Sequence, residues 1–519
     1  MALSWIKKVK QFKSSLRVIA GFLLRSRETQ AKRVKGYQQE VQQLRKVAEQ
    51  QQRTIREQQQ QLAHQEGEIA RLNHETRQLR ARPPRLPDDP PLPRHSFGAK
   101  MISLCVNLAR RIGFRPVGEV LKMVLEWLGV EAKLPDWTSI RTWMLRVGVA
   151  ALGRPVEQAD DWVWMADHSN QIGPEKVLSI IGVRASKMPP PGQSLKHEDV
   201  RVLELRPGTS WKREDMKAVY EQVAARCGAP LALISDGAVE LRDGATMCEA
   251  LQQNGKQTIV LGDFKHQAAN VLKNIIGKDE RFRDFSTRLG RTRSAIQQTE
   301  LAHLTPPSPK AKARFMNLEA TLRWAQMVLW QLSHPDSKAR QGITVERLNE
   351  KLGWLRDYEE DIERWQACQE VVGASLTFIN EQGVFRGAAR QLRDHLRRLA
   401  AYQKGKRTQS SRQVMACLLG LVRPSEAKLT DGQRLPMSTE ILESSFGLFK
   451  QREGQHSQGG FTSLIAGYGC LLHRTDPQSI RADFASVSVK SMRAWVCEKL
   501  GTTLAAKRQI AYQEYRNAS

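Results

Sequence analysis

Cysteine is scarce and unpatterned in this 519-residue chain. Its seven cysteines, Cys105, Cys227, Cys248, Cys368, Cys417, Cys470 and Cys497, form no Cys-x-x-Cys pair and have no close histidine partners. That pattern argues against a disulfide framework or a zinc site and fits a reducing compartment. No apolar run reaches the roughly 18 residues that a membrane-spanning helix needs. The amino-terminal apolar stretch is not read as a secretory signal, because Lys13 and Arg17 interrupt it and no convincing small-residue cleavage site follows. Acidic residues are in deficit, 54 against 81 Lys and Arg, for a net charge of +27. Basic residues recur in every third of the chain, so the expected partner is a polyanion, and nucleic acid is favoured over a membrane. The expected location is the bacterial cytoplasm, on the nucleoid, or the nucleus of a eukaryote.

At this length several domains are expected rather than one. Residues 1–35 carry ten basic residues against the single acid Glu28, with Trp5, Val9, Phe12, Leu16, Ile19 and Leu23 at helical spacing. This is a basic amphipathic helix, which lies on an anionic surface or packs on its own protein. Over residues 36–82 a seven-residue repeat places Val41, Ala48, Ile55, Leu62 and Ile69 on one seam and Tyr37, Leu44 and Leu72 on the other. The pattern predicts a coiled coil that joins copies of the chain through residues 37–82, although Gln51, Gln58 and Gln65 weaken one seam and leave a single solvated helix or a disordered tract as the other reading. Proline ends the repeat, and residues 83–94 form an extended linker.

Residues 95–150 hold three apolar-periodic segments, which suggest a helix-turn-helix DNA-binding domain with Arg141 and Arg146 facing a groove; a plain three-helix bundle is the alternative. From residue 160 the periodicity changes. Trp162–Ala166 is a short apolar run ending in Asp167, and further strand candidates end at Ser235-Asp236 and Gly262-Asp263, in the order β-β-β-α-β-α-β. Asp167 and Asp236 then stand at the ends of strands able to lie side by side. Adjacent strands are ~5 Å apart, so two carboxylates there could share a pair of cations ~4 Å apart. Residues 280–430 are mostly helical and contain Trp324, Trp330, Trp354 and Trp365, of which core packing is the usual role. Arg386 to Arg412 holds nine basic residues, including Arg397 and Arg398, against Asp394.

At these residues the sequence resembles the DDE transposase and integrase superfamily, over residues 160–475. Asp263-Phe264-Lys265-His266 is similar to the Asp-x-x-His signature of Mutator and hAT relatives. Ser438-Thr439-Glu440-Ile441-Leu442-Glu443 resembles the Thr-Thr-Asn-x-x-Glu stretch that carries the last acid in Mutator-like bacterial transposases. The resemblance implies an α/β RNase H-like catalytic core in two parts, 160–275 and 435–519, around a large all-α insertion. It implies Asp167, Asp236 and Glu443 as catalytic ligands of two Mg²⁺ ions, for which Mn²⁺ can substitute. Glu440 is the runner-up for the third acid, and Asp263 and His266 are supporting residues. Lys450, seven positions beyond Glu443, matches a basic residue that contacts DNA near the cleaved phosphate, with Arg452 beside it. The chain departs from the pattern in lacking an Arg shortly before the last acid. The implied function is a DNA transposase that cuts double-stranded transposon ends and joins them to target DNA. A domesticated DNA-binding regulator and an RNase H-like nuclease remain the alternatives.

Overall fold

A computed structural model describes residues 15–81, 88–172, 175–208, 210–251, 257–308, 315, 318–334, 342–399, 408–456, 462–502 and 504–518. The chain divides into two compact units, one of residues 1–86 with 125–131 and one of the remainder. In the first, a single helix α1 (Leu16–Ala81) runs 66 residues with no acid in its first turn. It has no break at residue 35, so within the described residues the basic stretch and the heptad stretch are one helix. Val34, Tyr37, Val41, Leu44, Ile55, Leu62, Ile69 and Leu72, which occupy the two seams, are all exposed in the single chain. Residues 1–14 of the basic segment, 82 of the heptad segment and 83–87 of the linker lie outside the described residues.

The second unit opens with α2 (Ala99–Ile112), most of α3 (Phe114–Leu128), whose residues from 125 belong to the first unit, and α4 (Trp137–Gly153). The linker is not extended to its end: Asp89 accepts from the backbone N–H groups of Lys100 and Met101, satisfying donors that the N-cap Gly98 leaves open. Next come β1 (Trp162–Ile172), β2 (Glu175–Arg184), β3 (Arg201–Gly208), α5 (Arg213–Cys227), β4 (Ala232–Ser235), α6 (Val239–Met247) and β5 (Ile259–Gly262). This is the element order expected from the sequence. The five strands form one mixed sheet in the order β3-β2-β1-β4-β5. β1 pairs antiparallel with β2 and parallel with β4, and β4 pairs parallel with β5.

Both faces of this sheet are covered, which is why its strands read as continuous apolar runs. Trp162, Trp164 and Ala166 alternate onto one face, against Met216, Val219 and Tyr220 of α5 and Leu241 of α6. Val163 and Met165 face the larger core on the other side. Each such side chain withdrawn from water contributes roughly 1.5–3 kcal/mol.

After β5 come α7 (Phe264–Ile275), α8 (Glu280–Ile296), α9 (Leu318–Ser333), α10 (Val345–Leu352), α11 (Glu359–Gln382), a strand β6 (Val384–Phe385), α12 (Ala388–Arg397) and α13 (Gln409–Glu426). Their centre is aromatic: Phe282, Phe285, Trp354, Tyr358 and Trp365 stack edge to face or tilted at 5.0–5.8 Å. Trp324 and Trp365 are buried, whereas Trp330 is 48% exposed and stacks on His334. The chain returns through β7 (Arg434–Leu435), paired with β6. Gly383 sits at φ 71°, and a Cβ there would lie 2.5 Å from the Leu435 carbonyl, so this junction needs glycine.

The last elements are α14 (Glu440–His456), α15 (Tyr468–Leu472), α16 (Pro477–Ser486), α17 (Val489–Leu500) and α18 (Leu504–Ala518). They correct the reading of residues 95–150 as a separate domain. α4 packs against α15, α16, α17 and the 463–467 turn, and α2 packs against α16. Gly148 allows the closest approach, because a Cβ there would overlap the Ala466 carbonyl. With Ile140, Trp143 and Met144 through Ala150 all buried, α4 is a core helix and not one presented to a groove.

Candidate active site

Three aspartates share one row. The last matched positions of the parallel strands are Ala166 with Ser235 and Ser235 with Gly262. The next residue on each strand is Asp167, Asp236 and Asp263. Parallel register alone therefore brings together three carboxyl groups from positions far apart in the sequence. One expectation needs correction: β1 does not end at Asp167 but continues to Ile172, with Asp167 opposite Ser179 of β2. The polar residues after Asp167 stay in the strand because β2 satisfies their backbone.

The three aspartates have different surroundings. Asp167 accepts from the adjacent His168 N–H at 2.6 Å, and its carboxyl is pushed up to about 7 by burial and by the negative charges of Asp236 and Glu443. Asp236 accepts from the Ala238 N–H at 2.9 Å, a turn that leads into α6. Asp263 is fully buried and caps α7, taking the N–H groups of Lys265 and His266. It also accepts from the Thr439 N–H at 3.0 Å and lies 2.5 Å from His266 Nδ1. Burial alone would raise its pKa, but these donors, with the His266 charge, outweigh burial and hold it below the ordinary value.

The bond to Thr439 brings in the fourth acid. Met437 accepts from the Phe264 N–H at 2.9 Å, so the start of α14 is tied to the start of α7. Glu443, one turn into α14, is then 2.7 Å from Lys265 Nζ through Oε2 and 3.7 Å from His266 Nδ1 through Oε1. Glu440 is more exposed and accepts from Asn380. The placement of α14 is reinforced from below, where Tyr468 and Ser445 share a hydrogen bond and Tyr468 lies 3.4 Å from Ser179, opposite Asp167.

Asp263, His266 and Glu443 each offer a ligand atom, all within 4.8 Å of one another. Two of them fit a metal poorly. Both oxygens of Asp263 already accept N–H donors, and His266 is raised to about 9 by its bond to Asp263 and holds a proton that a ligand nitrogen must give up. Glu443 differs, since its Oε1 is buried with no hydrogen-bond partner. The charges of Glu443 and Asp236 both act on the buried Asp167, although among the described residues the group with ligand atoms all within 4.8 Å of one another is Asp263, His266 and Glu443; oxygen donors of this kind are those that suit Mg²⁺.

The basic residues expected at DNA divide sharply. Lys450, Arg397 and Arg398 are exposed. Arg146 is 4% exposed: its guanidinium donates to the carbonyls of Val487 and Phe484, bonds His95 and stacks over the Phe484 ring. Arg452 is 3% exposed and donates to the Arg111 carbonyl. Both are structural, which corrects the expectation that they face DNA. Arg141 is half-buried, at 2.5 Å from Ser463 Oγ. Residues 404, 406 and 407 of the basic segment lie outside the described residues.

Two groups escaped the sequence reading. Lys265 sits inside the Asp-x-x-His motif, where a first-turn lysine has no signal of its own. His168 follows Asp167, with Nδ1 3.7 Å from Glu240 of α6 and Nε2 buried and unpartnered.

No family model matches this sequence, and no curated protein matches it. Among solved structures it is similar to one described as the Drosophila P element transposase strand transfer complex. The TM-score is 0.36 and the identity 12%, over 73% of this chain and 92% of that one.

Proposed function

We propose that this chain is a DNA transposase with an RNase H-like core, in which Asp167, Asp236 and Glu443 would hold two Mg²⁺ ions. The observation that carries this reading is the register of the parallel strands, which sets Asp167 and Asp236 side by side while Asp263 ties the helix of Glu443 to the same row. When bound, such ions activate the attacking oxygen and stabilise the leaving one in phosphodiester cleavage and transfer, and Mn²⁺ would substitute. The chain's own residues supply the rest. Asp263 fixes His266 and the entry to α14. Lys265 offsets the charge of Glu443 until it is needed as a ligand. His266, protonated and close to Glu443, adds positive charge where a phosphate must approach. Lys450, Arg397 and Arg398 offer exposed charge for the flanking double helix.

The test is a strand-transfer assay on duplex DNA carrying the ends that flank the gene, with Mg²⁺. Asp167→Asn, Asp236→Asn and Glu443→Gln are each expected to lower transfer on the order of 10³-fold or more, while DNA binding is retained. Full activity in any one of the three overturns the assignment. Binding without transfer in the unaltered chain gives the regulator reading, and cutting without joining gives the nuclease reading.

A further inference from the structure

Ser444, one residue past Glu443 and so about 100° round the helix from it, lines a cavity of about 330 Å³ with Arg110, Arg111, Lys196, His197 and Glu198. The charge there is unbalanced, with three permanent cations against one carboxylate. Among the described residues no ion pair involves Arg110, Arg111 or Lys196. Arg110 Nε and His197 Nε2 are buried with no hydrogen-bond partner. Leaving a buried polar atom unsatisfied costs about 1–3 kcal/mol, and Arg110 Nε, which can only donate, calls for a ligand that accepts hydrogen bonds. The Arg110 guanidinium is held in place by its bond to the Leu471 carbonyl at 2.9 Å, so no ordering is needed when an anion arrives. The field of this cluster reaches its neighbours: His473 is pushed down to about 4 by burial and by Arg201, Arg154, Arg110 and His197.

We propose that this cavity is a phosphate-binding site, and that its phosphate is a backbone diester of the DNA strand lying along α14. It rests on the function proposed above only for the source of that phosphate. A guanidinium fork, an ammonium and a ring nitrogen converging on one cavity suit a tetrahedral oxyanion. Since α14 carries both Glu443 and one wall of this cavity, a phosphate seated here sets the distance of the strand from the carboxylates.

The test uses the full chain with a chelator present, so that the carboxylate cluster plays no part. Inorganic phosphate is expected to raise the unfolding temperature above that in chloride of equal ionic strength. The rise should vanish in Arg110→Met, return in part in Arg110→Lys, and vanish in the double variant Arg111→Ala with Lys196→Ala, whose altered side chains are on the surface. For duplex DNA, the double variant is expected to bind about tenfold more weakly, with the slope of log affinity against log salt reduced by about 1 for each DNA phosphate that is no longer neutralised. No advantage of phosphate over chloride overturns the site. An unchanged salt slope in the double variant, or a gain confined to duplexes with a 5′-phosphate, overturns the backbone diester as its source. Whatever its own unfolding temperature, Asp167→Asn should keep the same increment with phosphate over chloride, while losing strand transfer, so this proposal and the catalytic one can fail separately.

Discussion

The carboxylate of Asp263 accepts the backbone N–H of Thr439 at 3.0 Å across 176 positions of sequence. A buried acid that caps one helix, orients a histidine and anchors a second helix has no spare capacity, so its replacement is felt in all three places. Asp263→Asn keeps one acceptor oxygen but meets His266 with an amide. It is expected to cost about 2 kcal/mol, and Asp263→Ala about 3 kcal/mol or more. Thermal unfolding measures the loss. Strand transfer should fall with DNA binding intact, and an active Asp263→Ala would contradict the anchoring role.

Asp167 and His266 make the metal-free protein sensitive to pH in the same direction. Asp167 titrates near 7 folded against 3.8 ordinarily, so the unfolded chain loses its proton first and stability falls between about pH 4 and 7. His266 titrates near 9 against 6.5, so its contribution is full below about pH 6.5 and is lost as pH rises through 9. Asp167→Asn should therefore raise the unfolding temperature of the chelated protein at pH 8, by about 2–4 °C per kcal/mol relieved, and leave it nearly unchanged at pH 4. A gain of equal size at both values would show that burial next to Asp236 and Glu443 is not the cause.

Lys265 offsets Glu443 in the absence of a divalent ion. Lys265→Met leaves the carboxylates to repel one another, so the chelated variant should be less stable by about 1–2 kcal/mol. Mg²⁺ should then raise its unfolding temperature more than it raises that of the unaltered chain. Equal shifts would mean that Lys265 and the cation do not act on the same carboxylate.

Arg146 distinguishes core from groove. Removing its charge strands the carbonyls of Val487 and Phe484, so Arg146→Met is expected to destabilise by about 3 kcal/mol. At a temperature where the variant is folded, its DNA affinity and salt slope should match the unaltered chain. A flattened slope would return Arg146 to the DNA surface.

The exposed seam of α1 suits a second copy of the chain. Deleting residues 37–82 should convert an oligomer to a monomer in sedimentation while leaving divalent-ion binding unchanged. An unaltered mass would place the contact elsewhere.

The parts of this architecture legible in the sequence are those with local causes. Trp162–Ala166 and Leu231–Ile234 read as strands because covering both faces demands unbroken apolar runs, and Asp263 and His266 were singled out by a resemblance carried in four consecutive residues, whose capping role only the structure shows. What could not be read depends on distant partners. Arg146 looks like any polar residue on a short helix until Val487 and Phe484, more than 330 residues away, take its hydrogen bonds. The extension of β1 past Asp167 was hidden for the same reason, since β2, not hydrophobicity, holds those residues in place.

The tie between Phe264 and Met437 means that the helical excursion leaves and re-enters the core at a single point. Its length and contents can therefore change without moving the acids, so long as the two ends still meet. That makes it a module open to wholesale exchange, its outer surface free to be rebuilt while the row of carboxylates beneath keeps its place.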